Sequence, residues 1–294
     1  MPIRLSLSLG VLVSFIVLSH SASASDVPHR DTVPAIDAPV ETLRFDLYQG
    51  FVIVVHGSAG PLKNLNFFLD TGTNQSTFDS AIASKLNLRD QKASEVALLG
   101  GRERALDAVL PMLRFGAVEQ SDLEITIADL SFFRKDLPVR IDAIVGLDVL
   151  GQRPFVIDYS TRTIRFGPSP PLAITVPLRR DGGLAVFDAE IDHRPVRLAF
   201  DTGAGTLVLF NTDATPRQVP DTASGRKNPA SFENKQVELR SVRVGTEEFR
   251  QEPARLARNP QPSQFEFDGL MSPAALGISR VSVNLAGGIL QFSR

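Results

Sequence analysis

The chain of 294 residues is 43% hydrophobic and 22% charged, a composition that fits a globular protein with a sizeable core and excludes a disordered one. A formal net charge of −2, with no clustered run of Lys and Arg, leaves no footprint for nucleic acid or an anionic membrane. The absence of cysteine excludes disulfides, Cys nucleophiles, lipid attachment through Cys and thiolate metal sites.

In chain order, Arg4 and the apolar stretch Leu5 to Leu18 precede Ala22-Ser23-Ala24, with small residues at the −3 and −1 positions of a cleavage site. Residues 1–24 therefore read as a signal peptide, cut after Ala24. As a retained anchor, an apolar stretch of about 14 residues would fall short of the roughly 20 that a spanning helix needs. No later segment is apolar enough to span, so no stable membrane insertion is expected after cleavage. A periplasmic or secreted protein is expected. Its mature length of about 270 residues is enough for a core that needs no disulfides. Residues 25–43, with Pro28, Pro34 and Pro39, read as an extended lead-in.

Short β-like runs follow. They are Phe51 to Val55, Asn66 to Leu69, Leu123 to Ile127, Phe155 to Ile157, Thr163 to Phe166, Val237 to Val244, Val281 to Val283 and Ile289 to Phe292. Helical signals are few, the best being Phe78 to Leu88 with Ser76 as its cap. The expected class is all-β with few short helices.

Two features repeat. Phe68-Leu-Asp-Thr-Gly72 matches Ala199-Phe-Asp-Thr-Gly203 at an offset of 131 (201 − 70), and Asp142 to Gly151 lies over Asp268 to Gly277 at an offset of 126 (268 − 142). The second match continues without a gap, bringing Ile157-Asp-Tyr159 over Val283-Asn-Leu285 and Phe166 over Phe292. Two chance tripeptides would not keep this order. The chain is expected to be a duplicated β-rich lobe, residues 44–170 and 171–294, joined near Pro168 to Pro171.

A duplicated lobe with an approximate two-fold axis brings equivalent aspartates, Asp70 and Asp201, together at that axis. Two carboxyls so close cannot both ionise cheaply, so they split their pKa values and share one proton over a useful pH range. One then activates water while the other donates a proton to an amide carbonyl. Gly72 and Gly203 let backbone N–H groups approach the carboxylates, where a Cβ would obstruct. Thr71 and Thr202 carry hydroxyls that can bond across the junction. The apolar residues before each motif, Phe67 to Leu69 and Leu198 to Phe200, would bury the strand that delivers the Asp.

With these residues in view, the chain resembles the retropepsin-like and pepsin-like aspartic peptidases, most of all the bacterial exported two-lobed type. The resemblance spans about residues 44–294. It implies two similar β-barrel lobes with the active site between them, and an aspartic endopeptidase whose partner is a polypeptide substrate. No metal or cofactor is implied. A monomer is expected, because one chain carries both half-sites. The resemblance also implies a glycine-bearing hairpin flap, matched by Leu98 to Gly101 with Gly100 and Gly101. An apolar-apolar-Gly element should lie beneath each catalytic loop, as Ile144-Val145-Gly146 does. In the resembling pepsins a hydroxyl after Asp-Thr-Gly bonds the outer oxygen of its own Asp, which implies this role for Thr73 and none for Ala204.

One position departs from the pattern. Leu270-Met271-Ser272 puts Ser where Gly is usual, which raises the alternative of a weak or inactive peptide-binding module on the same fold. A one-lobed dimeric enzyme is disfavoured by the repeat. The single-copy reading of Asp-Thr-Gly as an ordinary turn loses its force when the motif recurs in matching halves. Gly203-Ala-Gly205 is no dinucleotide fingerprint, since Val208 stands where its third Gly belongs. His20, His29, His56 and His193 show no metal-ligand spacing, and Asp142, Asp148 and Asp158 read as loop or strand-end residues.

Overall fold

A computed structural model describes residues 42–88, 91–98, 101–210, 235–257 and 266–294. The first half runs β1 (Thr42–Arg44), β2 (Asp46–Tyr48), β3 (Val52–Ala59), β4 (Leu62–Leu69), β5 (Thr77–Asp79), α1 (Ser80–Leu86) and β6 (Lys92–Leu98). It continues with β7 (Gly101–Phe115), β8 (Val118–Ala128), a 3-10 turn (Ser131–Lys135), β9 (Ala143–Val145), α2 (Leu147–Leu150), β10 (Phe155–Asp158) and β11 (Thr163–Phe166). The second half contains β12 (Ile174–Pro177), β13 (Arg179–Asp181), β14 (Leu184–Ile191), β15 (Arg194–Phe200) and β16 (Leu207–Phe210). It ends with β17 (Lys235–Val244), β18 (Glu247–Ala257), β19 (Gly269–Met271), β20 (Arg280–Asn284) and β21 (Ile289–Ser293).

The halves repeat strand for strand. The first sheet has the order β2-β3-β4-β9-β5-β8-β7-β6 and the second β13-β14-β15-β19-β16-β18-β17. Each closes into a barrel, through Ser58 and Ala59 of β3 on Arg114 and Leu113 of β7, and through Glu190 and Ile191 of β14 on Arg243 and Val242 of β17. Only β6 has no counterpart among the described residues of the second half.

Individual hydrogen bonds repeat as well. Asp142 accepts from Asn66 N at 2.9 Å and returns its own N–H to the Asn66 carbonyl at 2.9 Å. Asp268 does the same with Arg197, at 2.8 and 2.7 Å.

A third sheet joins the lobes, in the order β1-β11-β10-β20-β21-β12. Its central pair is antiparallel, with Phe155 opposite Val283, Val156 opposite Ser282 and Ile157 opposite Val281. Since Ser282 is the repeat of Val156, the approximate two-fold axis passes between them. Arg280 adds an ion pair to Asp158 across the same two strands, at 3.3 Å.

Burial on both faces explains the unbroken apolar runs. In β3, Ile53 and Val55 enter the main core while Val52 and Val54 enter a smaller cluster on the opposite face. In β4, Phe67 and Leu69 face the main core and Phe68 the smaller cluster, where it meets Phe133 edge-on. Such strands need apolar side chains at successive positions instead of alternating ones.

Two boundaries differ from those read in the sequence. Thr42 and Leu43, expected in the lead-in, belong to β1, where Leu43 pairs with Ile164 and packs on the core. The helix expected over Phe78 to Leu88 begins at Ser80, because Phe78 and Asp79 lie in β5 beside β8. Its cap is Asp79, which accepts from Ala81 N, and not Ser76.

Because the joining sheet is built from both lobes, they are expected to unfold as one cooperative unit. Ile157, 1% exposed and paired with Val281, is expected to cost about 2–5 kcal/mol when cut to Ala. Calorimetry of Ile157→Ala should show one transition moved downward as a whole. Two separated transitions would contradict shared cooperativity.

Candidate active site

Each half delivers its Asp from the end of a buried strand. β4 runs parallel to β9, and Asp70 N donates to the Val145 carbonyl at 3.0 Å. β15 runs parallel to β19, and Asp201 N donates to the Met271 carbonyl at 3.0 Å. The chain then turns sharply at Gly72 and Gly203, whose N–H groups donate to Oδ1 of Asp70 at 2.8 Å and of Asp201 at 2.7 Å.

The two loops interlock. Thr71 N donates to Thr202 Oγ1 at 3.1 Å, and Thr202 N to Thr71 Oγ1 at 3.0 Å. Each hydroxyl also donates into the opposite lobe, Thr71 to the Phe200 carbonyl at 2.9 Å and Thr202 to that of Leu69 at 3.2 Å. Nothing else could satisfy these groups, since both threonines are at most 1% exposed.

The glycines fix how near the carboxyls come. A methyl group on Gly72 would stand 2.5 Å from Cγ of Asp201, and one on Gly203 would stand 2.5 Å from Cγ of Asp70. Each loop thus lies against the other lobe's carboxyl, at a range that tolerates no Cβ. The two carboxyls are thereby brought close together, and Asp70 and Asp201 are 0% and 1% exposed. Their Oδ2 atoms are also buried and receive no donor from the rest of the protein.

Burial pushes the pKa of Asp70 well above the ordinary carboxylate value, the charge of Asp201 pushes it further, and the N–H groups of Gly72 and Gly203 oppose the rise. Burial likewise raises Asp201 to about 6, against hydrogen bonds from Asp70 and from the N–H groups of Gly203 and Ala204. Two carboxyls with raised values in one dry junction keep one proton between them.

Thr73 does not take the part implied by the resemblance. Its hydroxyl donates to the Gln75 carbonyl at 3.1 Å, and the outer oxygen of Asp70 has no hydroxyl upon it. Ala204 has no hydroxyl to offer Asp201, whose Oδ1 has its backbone donor in the Gly203 N–H. Of the expected flap residues, Gly100 lies outside the described residues. Gly101 opens β7 opposite Leu98, the last residue of β6.

Three residues gave no catalytic signal in the sequence. Asp148 accepts from Ser76 N and Ser76 Oγ, both at 2.8 Å, and from Val149 N at 3.0 Å, while Ser76 Oγ accepts from Gly146 N at 3.1 Å. Burial pushes Asp148 up to about 6 against these donors. Asn74 reaches across the junction, donating to the Gly182 carbonyl at 2.9 Å. Asp148 was visible in the stretch after Gly146, but only folding brings it to Ser76.

The arrangement can polarise and deprotonate a water while donating a proton elsewhere. No group of three or more metal-ligating side chains occurs among the described residues.

Residues 54–149 match a family model described as aspartyl protease, a stretch that contains Asp70 and covers about a third of the chain. No curated protein matches. Among solved structures, basic 7S globulin from soybean is similar over 86% of this chain and 95% of its own, at 13% identity and a TM-score of 0.45. A retropepsin-like aspartic protease from Rickettsia conorii is similar over 40% of this chain and 87% of its own, at 18% identity and a TM-score of 0.27.

The raised value of Asp201 carries a sign. The native state holds a proton that the unfolded chain releases, so this group favours folding below the unfolded value near 4 and loses that effect as pH rises through about 6. Asp201→Asn is therefore expected to raise the thermal midpoint over wild type at pH ~7.5 by a few degrees or more, with the gain shrinking by pH ~4.5. Equal midpoints at both pH values would contradict burial as the cause.

Proposed function

We propose that this two-lobed, aspartic-peptidase-like chain is an exported aspartic endopeptidase that hydrolyses polypeptides with Asp70 and Asp201 as its catalytic pair. The observation that carries the reading is the dyad itself. Two buried carboxyls, one from each lobe, meet across the interlocked loops with Oδ1 held by glycine N–H and Oδ2 left without a protein donor. A merely structural pair would be expected to have its outer oxygens satisfied.

The chemistry follows from one shared proton. The ionised carboxyl takes a proton from a water whose oxygen forms a bond to the scissile carbonyl carbon. The protonated carboxyl gives its proton to the carbonyl oxygen, so a neutral gem-diol forms and the pair exchanges charge states. In collapse, a diol hydroxyl returns its proton to the carboxylate, the other carboxyl protonates the amide nitrogen, and the C–N bond breaks. Water adds across the amide and the pair regains its starting state, with no covalent intermediate. Rigid loops matter because the oxygens must already sit where charge moves.

One chain supplies both carboxyls, which supports a monomer. The amino-terminal segment supports export. A peptide-binding module without hydrolysis draws its support from Ser272, whose hydroxyl donates to the Ala204 carbonyl, a contact that speaks against a disrupted loop.

Asp70→Asn and Asp201→Asn are each expected to lower peptide hydrolysis by about a thousandfold or more with the fold intact. The double variant should be little worse than either single, as befits residues acting as one unit. A protein-substrate cleavage assay with circular dichroism as the folding control measures this. Substantial activity in either folded single variant would overturn the assignment.

A further inference from the structure

In the first lobe, Leu147 N donates to the Thr73 carbonyl at 2.9 Å, tying the loop after Asp70 to the start of α2. The repeat places Pro273 at the position of Leu147 and Ala204 at that of Thr73. Proline has no N–H, so the second lobe cannot make this bond. Yet the Ala204 carbonyl is not left alone, for Ser272 Oγ donates to it. Ser272 Oγ in turn accepts from Ala275 N at 3.3 Å, which settles the direction of its proton.

Space has been exchanged along with the bond. A methyl group on Gly146 would meet Cγ2 and the carbonyl oxygen of Thr73, each at 2.8 Å, so glycine is required there. Opposite Ser272 stands Ala204, which has no Cγ, and both residues are fully buried. Gly with Thr and an amide in one lobe becomes Ser with Ala and a proline in the other.

We infer that Ser272 is a positioning residue for Asp201, its hydroxyl replacing the backbone donor that Pro273 lacks. It acts through Ala204, whose carbonyl it holds and which directly follows Gly203, the N–H donor to Oδ1 of Asp201. On this inference the departure from glycine at Ser272 supports the loop instead of weakening it. The hydrogen bond stands apart from the peptidase reading, but its catalytic consequence rests on that reading.

The test compares wild type with Ser272→Gly, Ser272→Ala and the double variant Ser272→Gly/Pro273→Ala, which rebuilds the first lobe's solution. Amide hydrogen exchange at Gly203 and Ala204 reports the loop without any assay of activity. Both single variants should exchange at least about tenfold faster there, and the double variant should return toward wild type. In hydrolysis, the singles should lose kcat more than KM rises. The acid limb of their pH–rate profile should move upward, because a displaced Gly203 N–H no longer favours ionised Asp201. Single variants that fail to fold beside a folded double variant support the inference too. Unchanged exchange in the singles, or a double variant no better than Ser272→Gly, overturns it. A wild type that exchanges as described but cleaves no peptide overturns the peptidase reading and leaves the hydrogen bond standing.

Discussion

Two carboxyl groups brought into contact away from water repel each other once both are charged, and in a dry junction that repulsion is large. Much of what surrounds Asp70 and Asp201 serves to hold them in this unfavourable place. Their strands are buried on both faces, the threonines exchange hydrogen bonds across the lobes, and glycine stands wherever a Cβ would meet the opposing carboxyl. A single proton relieves the repulsion. The raised pKa values of the pair are thus the consequence of the packing, and the same proton is what hydrolysis would need.

The approximate two-fold symmetry keeps the positions that meet at the axis and relaxes those behind them. Asp-Thr-Gly is identical in both halves, as is the exchange of bonds between Thr71 and Thr202. One layer further back the lobes diverge. The first uses Ser76, Gly146, Leu147 and an ionisable Asp148, whereas the second uses Ser272 alone in front of a proline. Asp148 corresponds to Ala274, and Ser76 to Leu207, so the second lobe has neither this carboxylate nor this hydroxyl. Each position must satisfy its neighbours, and the neighbours differ.

Much of this was legible in the amino-acid order because it concerns residues that recur. The paired motifs, their offsets and the shared endings were enough to read two β-rich lobes and the aspartates between them. Interactions made by a single residue with a distant partner were not legible. Ser76 looks like a helix cap from its spacing, but Asp79 lies nearer the helix and Ser76 is drawn to Asp148. Thr73 has the right hydroxyl for Asp70, yet the turn puts the Gln75 carbonyl within its reach. Ser272 looked like a defect because a departure from glycine is visible in sequence, whereas the missing amide at Pro273 matters only once Ala204 is seen beside it.

The central claim is that Asp70 and Asp201 share one proton, and site-resolved titration tests it most directly. Protein labelled with 13C at the aspartate carboxyl carbon, assigned through Asp70→Asn and Asp201→Asn, can be followed by NMR from about pH 3 to pH 8. The two signals are expected to move together in two coupled steps, with the upper step well above the usual carboxylate value near 4. Two independent single-step curves, each near 4, would contradict a shared proton and with it the proposed chemistry.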